Sequence, residues 1–330
     1  MTPILVGFAT KTKEEQTDCP RKFEQHMHWI DRLLRPLRGR LLTALLAALP
    51  AFAAYGQSGS TPLIWEVRST TNTSYLFGTI HVGARKLYPL SRAVEDAFAS
   101  AQVLALEADP TDALAVGTAA AGAAYTPPDT LANHISPALM EDLTRSLPAL
   151  GLPIEYARVM RPSLLAMTIE MMEVSRHGYD PALGLDTYLA RRAKQTGKRI
   201  VELESIREQL ALLNSFSDEL QEGMLRSALD SVADGTLGNQ LRDLVAAWRA
   251  GDSQKLLAQV DQDTDQLPPA LAQEYEHALY VTRNYAMVDK LVPMLEAGTP
   301  VFVAVGTGHL LGPQGLVELL KAKGYRIRQL

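Results

Sequence analysis

Pro300–Gly312 reads PVFVAVGTGHLLG. Its first six residues are uncharged and apolar on both faces, the mark of a strand buried inside a sheet. A glycine-rich turn with a histidine follows. Leu316, Leu319 and Leu320 then recur at helical spacing, so the pattern predicts a helix over Pro313–Lys323, opened by Pro313 and closed by Gly324. A buried strand that enters a turn and then a helix is one unit of an α/β fold.

Working outward, further short strands are expected at Leu63–Val67, Ser74–Phe77, Val103–Leu106, Arg199–Leu203 and Tyr325–Gln329. The polar run Ser69–Thr73 joins the first two as a hairpin. Helices are expected over Ser91–Ser100, the Ala-rich Thr111–Tyr125, a block from Pro137 to Lys194, Ser205–Ala250 and Ala270–Ala297, with Gln262–Pro269 as a polar loop. Met160, Met167, Met171 and Met172 read as core. The fold class is α/β: a partly parallel mixed sheet flanked by helices, with a helical insertion or cap over about 110–195.

Composition narrows the functional classes. The chain has 330 residues, 47% hydrophobic and 21% charged, so wholesale disorder is excluded. Its net charge of −5 is a poor footprint for nucleic-acid binding. A single Cys excludes a disulfide framework or a Cys-rich metal site.

Residues 1–56 read as a leader. They hold 8 Lys/Arg against 5 Asp/Glu, leaving 24 against 32 in the remainder. Arg32–Arg40 is basic, Leu41–Ala54 is an uncharged apolar run, and Ala51-Phe52-Ala53 fits a small-residue cleavage site, as in a secretory signal peptide. The run is short for a membrane span. Residues 1–26 are polar and aperiodic and read as a start-site extension, with Met27 the alternative start. Cleavage is expected near 53–56, leaving one exported domain over 57–330, periplasmic or secreted, with no stable membrane span.

The chemistry concentrates in two matching stretches. Leu76–Gly83 (LFGTIHVG) and Ala304–Gly312 (AVGTGHLLG) each run an apolar strand into Gly-Thr-x-His. The glycines, Gly78 and Gly306, permit sharp turns and close approach. The histidines, His81 and His309, stand where α/β sheets place ligands, beyond the carboxyl ends of strands. Acidic residues follow other strands: Glu107 after VLAL, Glu204 after RIVEL. Asp186 lies in Gly184-Leu185-Asp186. Imidazoles and carboxylates suit a divalent zinc, manganese or cobalt ion and metal-assisted hydrolysis. Arg283, beside Asn284, could balance a carboxylate or stabilise an oxyanion. Each residue also has a plainer reading: Glu204 and Asp186 as helix caps, Arg283 as a surface ion pair, either histidine as a structural strand-end residue.

The ordered set resembles the TraB/GumN family, related to the Tiki proteins. It includes Trp65-Glu66-Val67, Leu76–Gly83, Tyr88-Pro89-Leu90, Leu106-Glu107, Gly178-Tyr179-Asp180-Pro181, Glu202-Leu203-Glu204-Ser205, Gln209-Leu210, Arg283-Asn284 and Val303–Tyr325. The resemblance implies a constellation of two Gly-x-x-His boxes with a glutamate and an arginine. His81, Glu107, Arg283 and His309 fall on those positions; Asn284, Asp186 and Glu204 sit in matching motifs. Thr307 stands where the family commonly has Ala. Tiki relatives are membrane-tethered, divalent-metal-dependent proteases, and bacterial members are linked to pheromone inactivation and to an exopolysaccharide gene cluster. The expectation is an exported metal-dependent hydrolase, in the manner of a peptidase. His81, His309 and Glu107 would hold the metal, Glu107 doubling as a general base. The alternatives are a non-catalytic peptide- or glycan-binding protein and an accessory factor for surface polysaccharide export. A peptide or other small substrate is expected; the oligomeric state is left open.

Overall fold

β1 (Ile64–Arg68) and β2 (Thr73–Thr79) form the expected antiparallel hairpin. Its turn is closed by Ser69, whose N–H donates to the Asn72 carbonyl at 3.1 Å and whose hydroxyl accepts from the Thr71 and Asn72 N–H groups. A hydroxyl that substitutes for ladder partners is why such a polar run turns. This computed structural model describes residues 62–265 and 267–330, with backbone only over 261–265. The leader reading for 1–56 lies outside the described residues. Among those described, no helix is long and apolar enough to cross a membrane.

β3 (Val103–Leu106), β4 (Arg199–Glu202), β5 (Val301–Gly306) and β6 (Arg326–Gln329) complete one six-stranded sheet, in the order β4-β3-β5-β2-β1-β6. β4, β3, β5 and β2 are mutually parallel; β1 runs antiparallel to β2, and β6, antiparallel to β1, points the same way as the other four. The fold is therefore the expected α/β class with a mixed, mostly parallel sheet. The edge strands carry Arg199 and Glu202, or Arg326 and Arg328, charges that discourage pairing with another chain.

β5 sits at the centre with all six residues buried. Alternation sends Phe302 and Ala304 to one face and Val301, Val303 and Val305 to the other. The first face packs on helices Arg92–Ser100 and Leu185–Thr196 through Val94, Ala97, Phe98, Leu185, Leu189 and Ala193. The second packs on Thr282–Glu296 and Leu316–Ala322 through Met287, Val288, Leu291 and Leu320.

A third apolar core lies apart from the sheet. Leu131, Leu139, Leu143 and Leu147 pack there with Leu165 and Ile169. Leu225, Ala228 and Leu229, which follow β4, complete it. The cap expected at 110–195 is thus bounded differently. It recruits Asp218–Ala233 from beyond β4 and gives up Leu185–Thr196 to the sheet, because burial partners rather than chain order define the layer.

Four local expectations need correction. The loop at Gln262–Pro269 is shorter, since the helix Ser253–Asp265 continues into it and Pro269 opens the next one. The last helix begins at Leu316 behind Gly315, not at Pro313. The span 270–297 is interrupted by a π turn, His277–Val281, between helices Pro269–Glu276 and Thr282–Glu296. Met167 is 39% exposed and is not core; Met160, Met171 and Met172 are partly buried against apolar clusters.

Candidate active site

The four parallel strands end at one edge, and each delivers a polar residue there. β2 and β5 are neighbours with Thr79 opposite Gly306, so the two Gly-Thr-x-His turns emerge side by side. β3 ends one step away and presents Glu107. Beyond it, Glu204 follows β4, its N–H bonded to the Glu107 carbonyl at 2.7 Å.

Glu107 is buried at the centre. Its Oε1 accepts the Gly306 N–H at 2.5 Å, and its Oε2 accepts from Arg283 Nη2 at 2.9 Å and Gln209 Nε2 at 3.1 Å. Burial alone would raise its pKa. The positive fields of His309, His81 and Arg283 and the Gly306 N–H outweigh that and hold the carboxyl near about 2. Gly306 has to be small here. A Cβ on it would lie 3.1 Å from Glu107 Oε1 and 3.3 Å from His81 Nε2, so both atoms converge on the cradle its missing side chain leaves.

Each histidine is fixed through Nδ1. His81 Nδ1 lies 2.9 Å from Asp186 Oδ2, and Asp186 Oδ1 accepts from the Thr79 hydroxyl at 2.6 Å. His309 Nδ1 lies 2.7 Å from Asn284 Oδ1, and Asn284 Nδ2 donates to the Gln314 carbonyl at 2.8 Å. An acceptor on Nδ1 assigns the proton to that nitrogen and leaves Nε2 for other work. His309 Nε2 lies 3.7 Å from Glu107 Oε2. The environments differ. The His81 side chain is 65% exposed, and the Asp186 carboxylate raises its pKa to about 9, an attraction that water on its open face partly screens. His309 is 4% exposed, and burial lowers its pKa to about 4.

Arg283 is a carboxylate clamp. Nε and Nη2 bind Glu204 at 2.6–3.1 Å, Nη2 also binds Glu107, and Nη1 donates to the Leu279 carbonyl at 3.1 Å. With 14% of its side chain exposed, it is no surface ion pair; of its two suggested roles, balancing carboxylates matches this geometry. Nor are Glu204 and Asp186 caps. Ser205 caps the following helix Ile206–Asn214 in a capping box with Glu208, which frees Glu204 for Arg283. Gly184 occupies the cap position before Asp186, which turns inward to His81.

The Gly178–Asp186 segment reaches His81 by backbone contact. Gly83 and Asp180 exchange hydrogen bonds of 3.0 and 2.8 Å, and Leu185 N–H donates to the Ile80 carbonyl at 3.1 Å. Cβ atoms on Gly83 or Gly184 would fall 1.8 and 2.3 Å from opposing carbonyl oxygens. Gly78 faces away from Glu107. Its Cα packs on Thr307 and its carbonyl accepts the Trp248 indole N–H at 2.8 Å. The departure at Thr307 has a purpose: its hydroxyl donates to the Thr79 carbonyl at 3.0 Å and ties one box to the other.

Sequence reading assigned no role to Gln209, Thr79 or Tyr280. Gln209 bridges Glu107 and Glu204. It lies one turn past the Ser205 cap, and that helix start was the usable signal. Tyr280 lies in the π turn with its ring 5.5 Å from His309. Single π turns often mark functional sites, but no local pattern announces one.

Two imidazoles with Nδ1 anchored and a carboxylate beside them are a suitable donor set for a divalent ion. Among the described residues, however, no group of three or more His, Cys, Asp or Glu side chains is already gathered around one point as a metal site. Glu107 is engaged by Gly306, Gln209 and Arg283, while Glu204 and Asp186 are held by Arg283 and His81.

The pattern of the TraB/PrgY/gumN family matches residues 63–329. The uncharacterized protein YbaP of Shigella flexneri is 28% identical over 251 residues, 75% of this chain and 88% of its own; YbaP of Escherichia coli K12 is 27% identical over a similar span. The metalloprotease TIKI1 of Xenopus tropicalis is 23% identical over 330 residues, covering 82% of this chain and 62% of its own. No solved structure matches significantly. With its pattern spanning nearly the whole described region and both Gly-Thr-x-His turns, the chain belongs to the TraB/PrgY/gumN family.

Proposed function

We propose that the chain is an exported, metal-dependent hydrolase that cleaves peptides. One observation carries the reading: His81 Nε2 and Glu107 Oε1 converge on the Gly306 cradle while His309 Nε2 faces Glu107 from the other box. The relation to proteins named metalloproteases supports a metal. His81, His309 and Glu107 would hold it; manganese, cobalt and zinc all suit the donors. Such an ion, when bound, lowers the pKa of water toward ~7 and polarises a carbonyl. The chain's own groups do the rest. Asp186 and Asn284 fix the two imidazoles, and Arg283 balances the paired charges of Glu107 and Glu204. Ionised at neutral pH, Glu107 is available as an anionic ligand, and its lowered pKa suits that role better than that of a base. Export rests on the basic stretch, apolar run and small-residue site of residues 32–54.

Calorimetric titration of the metal-stripped chain with Mn²⁺, Co²⁺ and Zn²⁺ tests this, together with turnover of a peptide library. Uptake of about one ion is expected, lost in His81→Ala and His309→Ala, with turnover lost in Glu107→Gln. Absence of both uptake and turnover overturns the proposal, and capture of a peptide without either favours a binding protein.

A further inference from the structure

The two boxes differ at the residue before the histidine. In the first it is Ile80, whose own side chain is buried in the core. In the second it is Gly308, and a residue from another element takes the space beside it. A Cβ on Gly308 would lie 2.7 Å from Cε1 of Tyr280 and 3.3 Å from its hydroxyl oxygen. Gly308 has no positive φ that would require a glycine, so the ring is what keeps the position bare. The half-buried Tyr280 ring stands 5.5 Å from the His309 imidazole, tilted by 55°. That separation falls within the roughly 4.5–7 Å at which aromatic pairs attract.

The π turn His277–Val281 delivers the ring, its wider bond running from the Thr282 N–H to the His277 carbonyl. Tyr280 and Asn284, at i and i+4, share a face of this helical segment, which is why both meet His309. Leu279, in the same turn, gives its carbonyl to Arg283 Nη1 at 3.1 Å. One turn thus supports both the imidazole and the guanidinium that face Glu107.

We propose that Tyr280 is a positioning residue for His309: its ring fills the side-chain space that Gly308 leaves and braces the imidazole, held by Asn284 at Nδ1, so that Nε2 stays turned to Glu107. The assignment deepens the metal-hydrolase reading and rests on it for the ion that His309 would hold.

The test reads the imidazole itself, before any ion or substrate is added. In the full chain stripped of divalent ions, solvent exchange of the His309 Nδ1 proton is followed by nuclear magnetic resonance, with the β5 amides as a control for the fold. Tyr280→Ala is expected to speed that exchange ~10-fold, the upper range of an aromatic pair, with β5 unchanged. Tyr280→Phe, which keeps the ring, retains most of the protection. Gly308→Ala, which sets a methyl against the ring, speeds exchange ~2-fold or more, the lower range for coupled contacts, and adds nothing in the Tyr280→Ala background. Should Tyr280→Ala loosen β5 as well, Gly308→Ala alone decides. Titration with Co²⁺ then reads the consequence: Tyr280→Ala weakens uptake ~10-fold or more, as loss of support behind a ligating histidine does. Unaltered exchange in Tyr280→Ala, an equal loss in Tyr280→Phe, no effect of Gly308→Ala, or Co²⁺ held as tightly without the ring overturns the assignment. A chain that shows these exchange effects but takes up no ion refutes the metal reading and leaves the bracing of His309 standing.

Discussion

The two Gly-Thr-x-His turns share a local sequence and neighbouring parallel strands, yet their histidines live under opposite conditions. His81 stands at the rim, largely exposed, against a carboxylate that favours its charged form. His309 is enclosed beneath Tyr280, against a neutral amide, and burial favours its uncharged form. A repeated motif therefore fixed where each ring emerges but not its chemistry, which the partner on Nδ1 and access to water decide. With no ion bound, the pair is differentiated, one accessible cation and one buried neutral base joined by the shared anion Glu107; an ion at His81 would have to displace its Nε2 proton.

The strongest way to break this comparison is to remove the post between the boxes. Glu107→Ala leaves the buried Gly306 N–H without its acceptor and deprives Arg283 of one carboxylate. Loss of a partner from a buried ion pair costs about 3–5 kcal/mol, so denaturant unfolding should show a loss of that size. Glu107→Gln, which keeps an acceptor for Gly306, should lose less. Equal and small losses in both would mean the boxes stand independently of Glu107.

Exchanging the Nδ1 partners sharpens the contrast. In Asp186→Asn the His81 pKa should fall from about 9 toward 6.5, and in Asn284→Asp that of His309 should rise from about 4, both read from imidazole resonances during titration. Stability should follow. His81 binds its proton more tightly when folded, so its contribution is whole below pH 6.5 and vanishes as pH rises through about 9. Folding weakens proton binding at His309, so stability is undiminished above 6.5 and declines as pH drops toward about 4. Glu107, depressed from 4.5 to about 2, extends the loss at lower pH. Melting temperature should therefore peak near pH 6.5. Asp186→Asn should flatten the alkaline limb alone, and Asn284→Asp the limb between 4 and 6.5. A profile unmoved by either exchange contradicts the assignment of those limbs.

The smallest expected effect concerns the tie between the boxes. Thr307→Ala removes the hydrogen bond to the Thr79 carbonyl. A net loss of about 1 kcal/mol is expected, seen as a shift in denaturant midpoint at unchanged slope. A larger loss would show that Thr307 also orders the His309 turn.

Much of the fold was legible because its signals are local. Pro300–Val305, Val103–Leu106 and the Ser69–Thr73 turn declare themselves by runs of apolar or polar side chains. The errors arose where packing overrode such signals. Pro313 looks like a helix start, but the chain first turns through Gly312–Gly315, where the Gly315 N–H bonds the Gly312 carbonyl. The π turn at His277–Val281 adds a residue to a helix whose periodicity looks continuous, and Met167 shares a helix with buried residues while facing out. At the site, the two Gly-Thr-x-His turns, Glu107 and Arg283 drew attention as contiguous motifs. Gln209 stood out only as part of the Gln209-Leu210 motif; neither its bond to Glu107 nor the pairing of Asp186 with His81 was legible, since partners 102 and 105 positions apart leave no mark on either local stretch.

Local pattern alone sets the α/β class, the strand ends at which the polar residues emerge, and the glycines at 306 and 184 that allow close approach, because these depend on side-chain pattern and backbone freedom over a few residues. Long-range packing sets which histidine is pushed toward its charged form, that Arg283 is spent on two carboxylates, and that Asp186 serves His81 rather than a helix end. Those outcomes depend on distance, burial and field, and such quantities exist only once strands far apart in the chain have been laid side by side.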